Sequence, residues 1–269
     1  MVRAAEKAAR GLVRDFGEVE QLQVSRKGPA DFVSSADTAA EKAIRAELAK
    51  ARPDFGWLGE ESGKGGPSDA KSRWIVDPLD GTTNFLHGIP HWSISIGAET
   101  DGAIVAGVVY NPVNDEMFWA ERGQGAFMNS KRLRVSGRRT LDVALLATGL
   151  PFKGRAYAPS YMAEVEAMVG ETAGIRRFGS AALDLAYVAA GRYEGFWEYA
   201  LSPWDTAAGS LLVTEAGGFV SEIDGGNNPV FGKSILAANG DLARPIRDLL
   251  TRAQRKAANV TAGQKASNG

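Results

Sequence analysis

Cysteine is absent from all 269 residues, which removes disulfides, thiolate zinc sites and cysteine nucleophiles together. A chain of this kind suits a reducing compartment, and a cytoplasmic location is expected. Histidine is almost as scarce. His87 and His91 are the only two, too few for a histidine-rich metal centre. No window reaches the roughly 18 uninterrupted apolar residues of a membrane-spanning helix. Arg3, Glu6, Lys7, Arg10 and Arg14 interrupt the N-terminal stretch where a signal peptide would carry its apolar run. Neither sign of charge dominates, with 31 Lys and Arg against 32 Asp and Glu. No global field therefore favours nucleic acid or an anionic membrane, and neither a membrane nor tight direct nucleic-acid binding is expected. What remains for chemistry is oxygen.

The order of elements predicts a layered α/β protein. Residues 2–16 set Ala5, Ala8, Ala9, Leu12, Val13 and Phe16 on one helical stripe. A short strand is expected over Gln21–Ser25, followed by a basic turn at Arg26-Lys27-Gly28-Pro29. A second helix runs from about Ser35 to Ala51, stopped by Pro53. Phe55–Leu58 reads as a strand, and the Gly/Pro-rich stretch Gly63–Ser68 as a loop. Strand candidates Trp92–Glu99, Ala103–Asn111, Glu116–Glu121 and Ala126–Met128, joined by short turn signals, predict an antiparallel meander. The second half opens with a strand at Ala144–Thr148 and a helix near Pro159–Val169, then alternates. One domain over residues 1–258 is expected, its two intimate halves meeting near 140–150, with 259–269 a fraying tail.

The densest signal is Trp74-Ile75-Val76-Asp77-Pro78-Leu79-Asp80-Gly81-Thr82-Thr83-Asn84-Phe85. An apolar strand ends in two carboxylates three residues apart. Pro78 holds φ near −65° and Gly81 tolerates conformations closed to other residues, so both acids can be thrown toward one point. Further acids sit at Asp37, at Glu60 and Glu61 after a strand, and at Asp205 opening the helix Trp204-Asp205-Thr206-Ala207-Ala208-Gly209. Each has a plain alternative. Ser34-x-x-Asp37 and Ser202-x-x-Asp205 fit capping boxes, Glu60 and Glu61 can be solvated loop acids, and Asp77 with Asp80 can form an Asx turn. Their joint occurrence at strand ends and helix starts is what points to a site. Two carboxylates about 5 Å apart repel by about 3 kcal/mol at an effective dielectric of 20. A cluster of them calls for cations, and an all-oxygen set favours Mg²⁺ or Mn²⁺. Metal-assisted attack of water on a phosphate ester follows.

Two other readings fail on spacing. Aspartyl-phosphate enzymes place one residue between their paired aspartates, and here there are two. The run Gly226–Ser234 ends like a P-loop, but Asn227 replaces the required glycine and Pro229 interrupts it.

The blocks Asp31-Phe32-Val33-Ser34-Ser35-Ala36-Asp37, Gly59-Glu60-Glu61-Ser62, Asp77 to Phe85 and Trp204 to Gly209, in that order, resemble the inositol monophosphatase family over about residues 5–250. The resemblance implies alternating α-β-α-β-α layers, a homodimer, two or three Mg²⁺ ions, Mn²⁺ as a substitute and inhibition by Li⁺. It implies that Glu60, Asp77, the Leu79 carbonyl and Thr82 hold one ion. Asp77, Asp80 and Asp205 would hold a second, and Glu60 would face a weaker third near the Arg26-Lys27-Gly28 turn. Asp37 and Thr82 would activate the attacking water, with Glu60 beside them, and the Gly81 and Thr82 amides would grip phosphate. Ser180, Ala181, Glu198 and Asp205 would meet the substrate, a phosphorylated polyol. For Glu198 the plain alternative is a surface strand acid. The run Arg176-Arg177-Phe178-Gly179-Ser180-Ala181-Ala182-Leu183-Asp184 with Glu198 resembles the bacterial inositol-phosphatase branch. Relatives of this fold also hydrolyse fructose 1,6-bisphosphate, histidinol phosphate, adenosine 3′,5′-bisphosphate or NADP. Some bacterial members act as antitermination and ribosome-maturation factors, which implies RNA polymerase as a possible partner.

Overall fold

The computed structural model describes residues 1–18, 24–28, 31–151 and 157–267. Helical periodicity builds the first layer. α1 (Val2–Phe16) buries Ala4, Ala5, Ala8, Ala9 and Leu12, and α2 (Ser35–Ala51) buries Ala36, Ala40, Ile44 and Leu48. Val13, expected on the buried stripe, is exposed, while Phe16 lies 5.5 Å from the rings of both Phe85 and Trp92. Between the helices, β1 (Val24–Gly28) and β2 (Asp31–Ser34) form an antiparallel ribbon. Arg26 and Lys27, expected in a turn, continue β1, because ladder pairing with β2 outweighs the local turn signal. Residues 21–23 of the expected strand, and Pro29, lie outside the described residues.

An eight-stranded sheet follows. Its strands are β3 (Gly56–Gly59), β4 (Gly63–Gly65), β5 (Ser72–Asp80), β6 (Ser93–Thr100), β7 (Ala103–Asn111), β8 (Glu116–Glu121), β9 (Gly125–Met128) and β10 (Lys131–Arg132), in spatial order β10-β9-β8-β7-β6-β5-β3-β4. From β5 to β10 each neighbour is antiparallel, the expected meander, and β3 joins β5 in parallel. β4 corrects the first half of the loop expected at 63–68, and residues 66–68 stay outside any strand. Gly-Lys-Gly has no strand pattern of its own and is held by pairing with β3. The second sheet has five strands, β11 (Leu145–Thr148), β12 (Gly174–Arg176), β13 (Gly195–Tyr199), β14 (Phe219–Ser221) and β15 (Ser234–Ala238), in order β12-β11-β13-β15-β14.

Strand alternation assigns the layers. On β5, Trp74 and Val76 pack with α1 and α2, whereas Ile75 faces the central core of α5 (Ala181–Ala189) and α6 (Pro203–Glu215). On β15, Ile235 and Ala237 face that same core, while Leu236 and Ala238 turn toward α7 (Ala243–Ser267) and Met168 of α4 (Ala158–Glu171). The result is the expected α-β-α-β-α stack. The helical backbone of α7 also spans 259–267, the segment for which composition predicts a tail.

Close approach of α6 to the large sheet depends on two glycines. A Cβ at Gly107 would lie 2.9 Å from the Ala208 Cα, and one at Gly97 would lie 3.0 Å from the Ala207 Cβ. Their bare α-carbons let the N-terminus of α6, with Asp205, settle beside the end of β5.

Candidate active site

β5 runs buried to its last residue, so Asp77 and Asp80 are delivered inside the protein rather than at its surface. The Asx turn anticipated there is real: Leu79 N–H donates to Asp77 Oδ1 at 2.8 Å. Gly81 then adopts φ +96° and caps α3 (Thr82–Leu86) without a side-chain bond. A Cβ there would meet the His91 carbonyl at 3.1 Å. Asn84, in the same motif, donates to the carbonyls of His91 and Phe178, each at 2.7 Å. That clamp ties the turn to the segment leading into α5.

Asp205 arrives from α6. Its capping box is also real, with Ser202 N–H donating to Asp205 Oδ2 at 2.7 Å. The cap and the site are not alternatives. One carboxylate oxygen from each of Asp77, Asp80 and Asp205 lies within 4.8 Å of the others. Glu60, whose N–H bonds the Val76 carbonyl at 3.1 Å, shares a side-chain hydrogen bond with Asp77. Burial raises Asp77 well above the ordinary carboxyl range, and Glu60, Asp80 and Asp205 add to it. Asp205 is raised likewise, by burial and then by Asp80. Asp80 is raised to about 6 by burial, offset by donors from Ser180 and Ala182.

Asp37 and Thr82, expected to act together on the attacking water, are brought into contact. Thr82 Oγ1 lies 3.2 Å from Asp37 Oδ1, to which it donates, and 3.0 Å from the Leu79 carbonyl. Asp37 is buried in the first turn of α2. The companion Ser34 side chain of its expected capping box lies outside what is described.

Ser180 and Ala181, for which substrate contact is expected, bear on Asp80. Ser180 Oγ donates to Asp80 Oδ2 at 2.5 Å and Ala182 N–H donates at 2.8 Å, with the Ala181 backbone adding a third bond. Asp80 thus caps α5 from a hundred residues away. Glu198 projects from β13 onto Gly149, whose Cα leaves room for the carboxyl: a Cβ there would lie 1.9 Å from Glu198 Oε1. Burial raises Glu198 to about 8, with Arg177 opposing the shift and Asp80 adding to it.

One acid here escaped sequence reasoning. Asp184 sits on the buried face of α5 with Oδ1 lacking a hydrogen-bond partner, and its carboxyl is raised by burial and by the fields of Glu198 and Asp80. Its signal in the sequence was an acid inside the otherwise apolar run Ala181-Ala182-Leu183-Asp184-Leu185-Ala186. Among the described residues, Arg177 is the cation that opposes the shifts of both Glu198 and Asp184.

Buried carboxylates with raised values and no histidine or thiolate form a hard-oxygen donor set, which fits Mg²⁺ or Mn²⁺ and not zinc. Five alternating layers and such a cluster at a strand end define a metal-dependent phosphatase. The chain belongs to the inositol monophosphatase family, whose model matches residues 1–259. It is 55% identical over 252 residues to the inositol-1-monophosphatase of Rhizobium meliloti, covering 94% of this chain and 95% of that protein. It is 48% identical over 238 residues to the Nus factor SuhB of Escherichia coli, covering 88% and 89%. The crystal structure of the extragenic suppressor protein suhB from Bartonella henselae superposes with a TM-score of 0.90 at 57% identity, over 93% of this chain and 96% of that one. Among the described residues, no helix is long and apolar enough to cross a membrane.

Proposed function

We propose that this phosphatase hydrolyses inositol monophosphates to the free polyol and inorganic phosphate with Mg²⁺. The supporting observation is the Asp77, Asp80 and Asp205 cluster, with oxygens within 4.8 Å, set beside the Asp37–Thr82 pair. Glu60, Asp77, Asp80, Asp205, the Leu79 carbonyl and the Thr82 hydroxyl would hold two ions, with a third beside Glu60. Mn²⁺ would substitute and Li⁺ would inhibit. When bound, the ions supply an activated water and offset charge on the phosphate.

The rest belongs to the chain. Asp37 accepts from Thr82 and takes the proton of the attacking water, so that water is oriented before it attacks. The Gly81 and Thr82 amides hold phosphate oxygens, with Ser180 and Ala181 fixing Asp80 behind them. Glu198 and Asp205 face the hydroxyls of the leaving polyol. No side chain becomes phosphorylated, since the nucleophile is water, and the departing polyol oxygen would take its proton from a second, ordered water. The reading includes a cytoplasmic homodimer.

Phosphate release tests it, using inositol 1-phosphate, fructose 1,6-bisphosphate, histidinol phosphate, adenosine 3′,5′-bisphosphate and NADP, each with Mg²⁺, Mg²⁺ plus Li⁺, or EDTA. Mg²⁺-dependent, Li⁺-sensitive release led by inositol 1-phosphate is expected. Release led by another substrate would overturn the polyol assignment, and EDTA-resistant release would overturn the metal assignment.

The similarity to a protein named Nus factor SuhB supports a second reading, binding to RNA polymerase independently of hydrolysis. A pull-down with polymerase should then succeed equally with wild type and with Asp80→Asn. Failure of both removes that reading.

A further inference from the structure

Glu198 owes its position to a buried polar assembly on the far side of its own strand. Trp197, Glu198 and Tyr199 are consecutive on β13, so Glu198 faces the site while its two neighbours point the opposite way, toward α4 and α7. Both neighbours end on one side chain. Trp197 Nε1 donates to Glu164 Oε2 at 3.1 Å, and Tyr199 OH donates to Glu164 Oε1 at 2.7 Å. Gln254 Nε2, from α7, donates to the same Oε1 at 2.8 Å and to Tyr199 OH at 2.5 Å. Glu164 is 1% exposed, so these donors replace water around a carboxylate that has almost none.

One turn earlier on α4, Tyr161 reaches the floor beneath Glu198. Its OH lies 2.6 Å from Thr148 Oγ1, which in turn donates to the Trp197 carbonyl at 2.7 Å. Thr148 precedes Gly149, the residue on which the Glu198 carboxyl rests. The two walls of the Glu198 seat, β11 and β13, are therefore bonded to two residues of one helix.

We propose that Glu164, assisted by Tyr161, is a positioning residue for Glu198 and so sets recognition of the leaving alcohol. The inference rests on the reading that Glu198 meets a substrate hydroxyl. Glu164 touches no reacting atom. Removing it leaves Trp197 Nε1, Tyr199 OH and Gln254 without their shared acceptor, and β13 loses the bonds on either side of Glu198. The metal cluster and the Asp37–Thr82 pair stand on β5, α2, α3 and α6, which make none of these bonds. Loss of Glu164 should accordingly damage selectivity more than chemistry.

The test compares inositol 1-phosphate with phenyl phosphate, which offers Glu198 no hydroxyl. Glu164→Ala should raise KM for inositol 1-phosphate about tenfold, as for loss of one well-aligned hydrogen bond, with kcat on phenyl phosphate held within about twofold. In a Glu198→Ala background the same substitution should have no further effect on KM, because the two act as a unit. Glu164→Gln, which keeps one acceptor oxygen, should recover part of the loss. Tyr161→Phe should show the same selectivity more weakly, and serves if Glu164→Ala does not give a cooperative melt. Equal losses on both substrates, or additive losses with Glu198→Ala, would overturn the proposal. Wild-type indifference to Glu198→Ala on inositol 1-phosphate would instead overturn the underlying reading of Glu198.

Discussion

Replacing Asp77 by asparagine should stabilise the metal-free protein while abolishing its activity. Asp77 shares with Asp80 and Asp205 a space in which their carboxylate oxygens lie within 4.8 Å of one another. At an effective dielectric of 20 each such pair of charges repels by about 3.5 kcal/mol, about 7 kcal/mol for Asp77 if all three are ionised. Protonation caps that penalty. A carboxyl with an ordinary value of 3.8 can be neutralised at pH 7 for about 4.4 kcal/mol, so ionisation cannot cost more. Asparagine keeps an oxygen for the Leu79 N–H, now 2.8 Å from Asp77 Oδ1, and offers an amide donor to the neighbouring acids. Half the cap, about 2 kcal/mol, corresponds to a Tm higher by about 4–8 °C.

Calorimetry in EDTA at pH 7.5 reads the difference, and pH supplies its control. Burial and repulsion raise Asp77 well above 3.8 in the folded protein. The folded state then holds a proton that the unfolded chain has released. Stability from this group is full below 3.8 and is lost as pH rises through the folded value. The advantage of Asp77→Asn should vanish near pH 4 and grow toward neutrality. Saturating Mg²⁺ should reverse the order, since a ligand at 100 times its Kd adds about 2.7 kcal/mol to the protein that binds it. A metal-free Asp77→Asn protein that melts below wild type at pH 7.5, or a difference insensitive to pH, would show that repulsion among these carboxylates does not destabilise the metal-free fold.

Asp37→Asn should lower turnover by about 10²–10⁴-fold, the usual size of a general-base contribution, with Mg²⁺ affinity unchanged by titration calorimetry. Gly107→Ala places a methyl 2.9 Å from the Ala208 Cα. It should cost about 1–3 kcal/mol in denaturant melts and weaken Mg²⁺ binding, because α6 carries Asp205. His91 is pushed down to about 4 by burial, so its contribution is complete above pH 6.5 and is lost as pH falls through the folded value. His91→Phe should flatten the acid limb of a Tm-against-pH curve, and an unchanged limb would exclude His91 as its source.

Much was legible in one dimension. Trp74 to Phe85 declares a strand, a turn and two acids through residue order alone, because Pro78 and Gly81 act on their own backbone dihedrals. The meander was legible for a similar reason, since apolar stretches and turn signals are local. Ser202 and Asp205 announced their capping box, and the structure forms it. Other features had no local cause. Arg26 and Lys27 looked like a turn until β2 came alongside, and Gly63–Gly65 became a strand only through β3.

The site divides along the same line. Composition set which residue types were available: oxygen ligands in quantity, no thiol, two histidines, and therefore a hard-metal chemistry. Folding alone put the Asp205 cap and the Asp77 turn in one space, set Ser180 against Asp80 across a hundred positions, and left one oxygen of Asp184 without a partner. Hydrogen bonds and repulsion fall off over a few ångströms in space, and distance along the chain does not measure that separation.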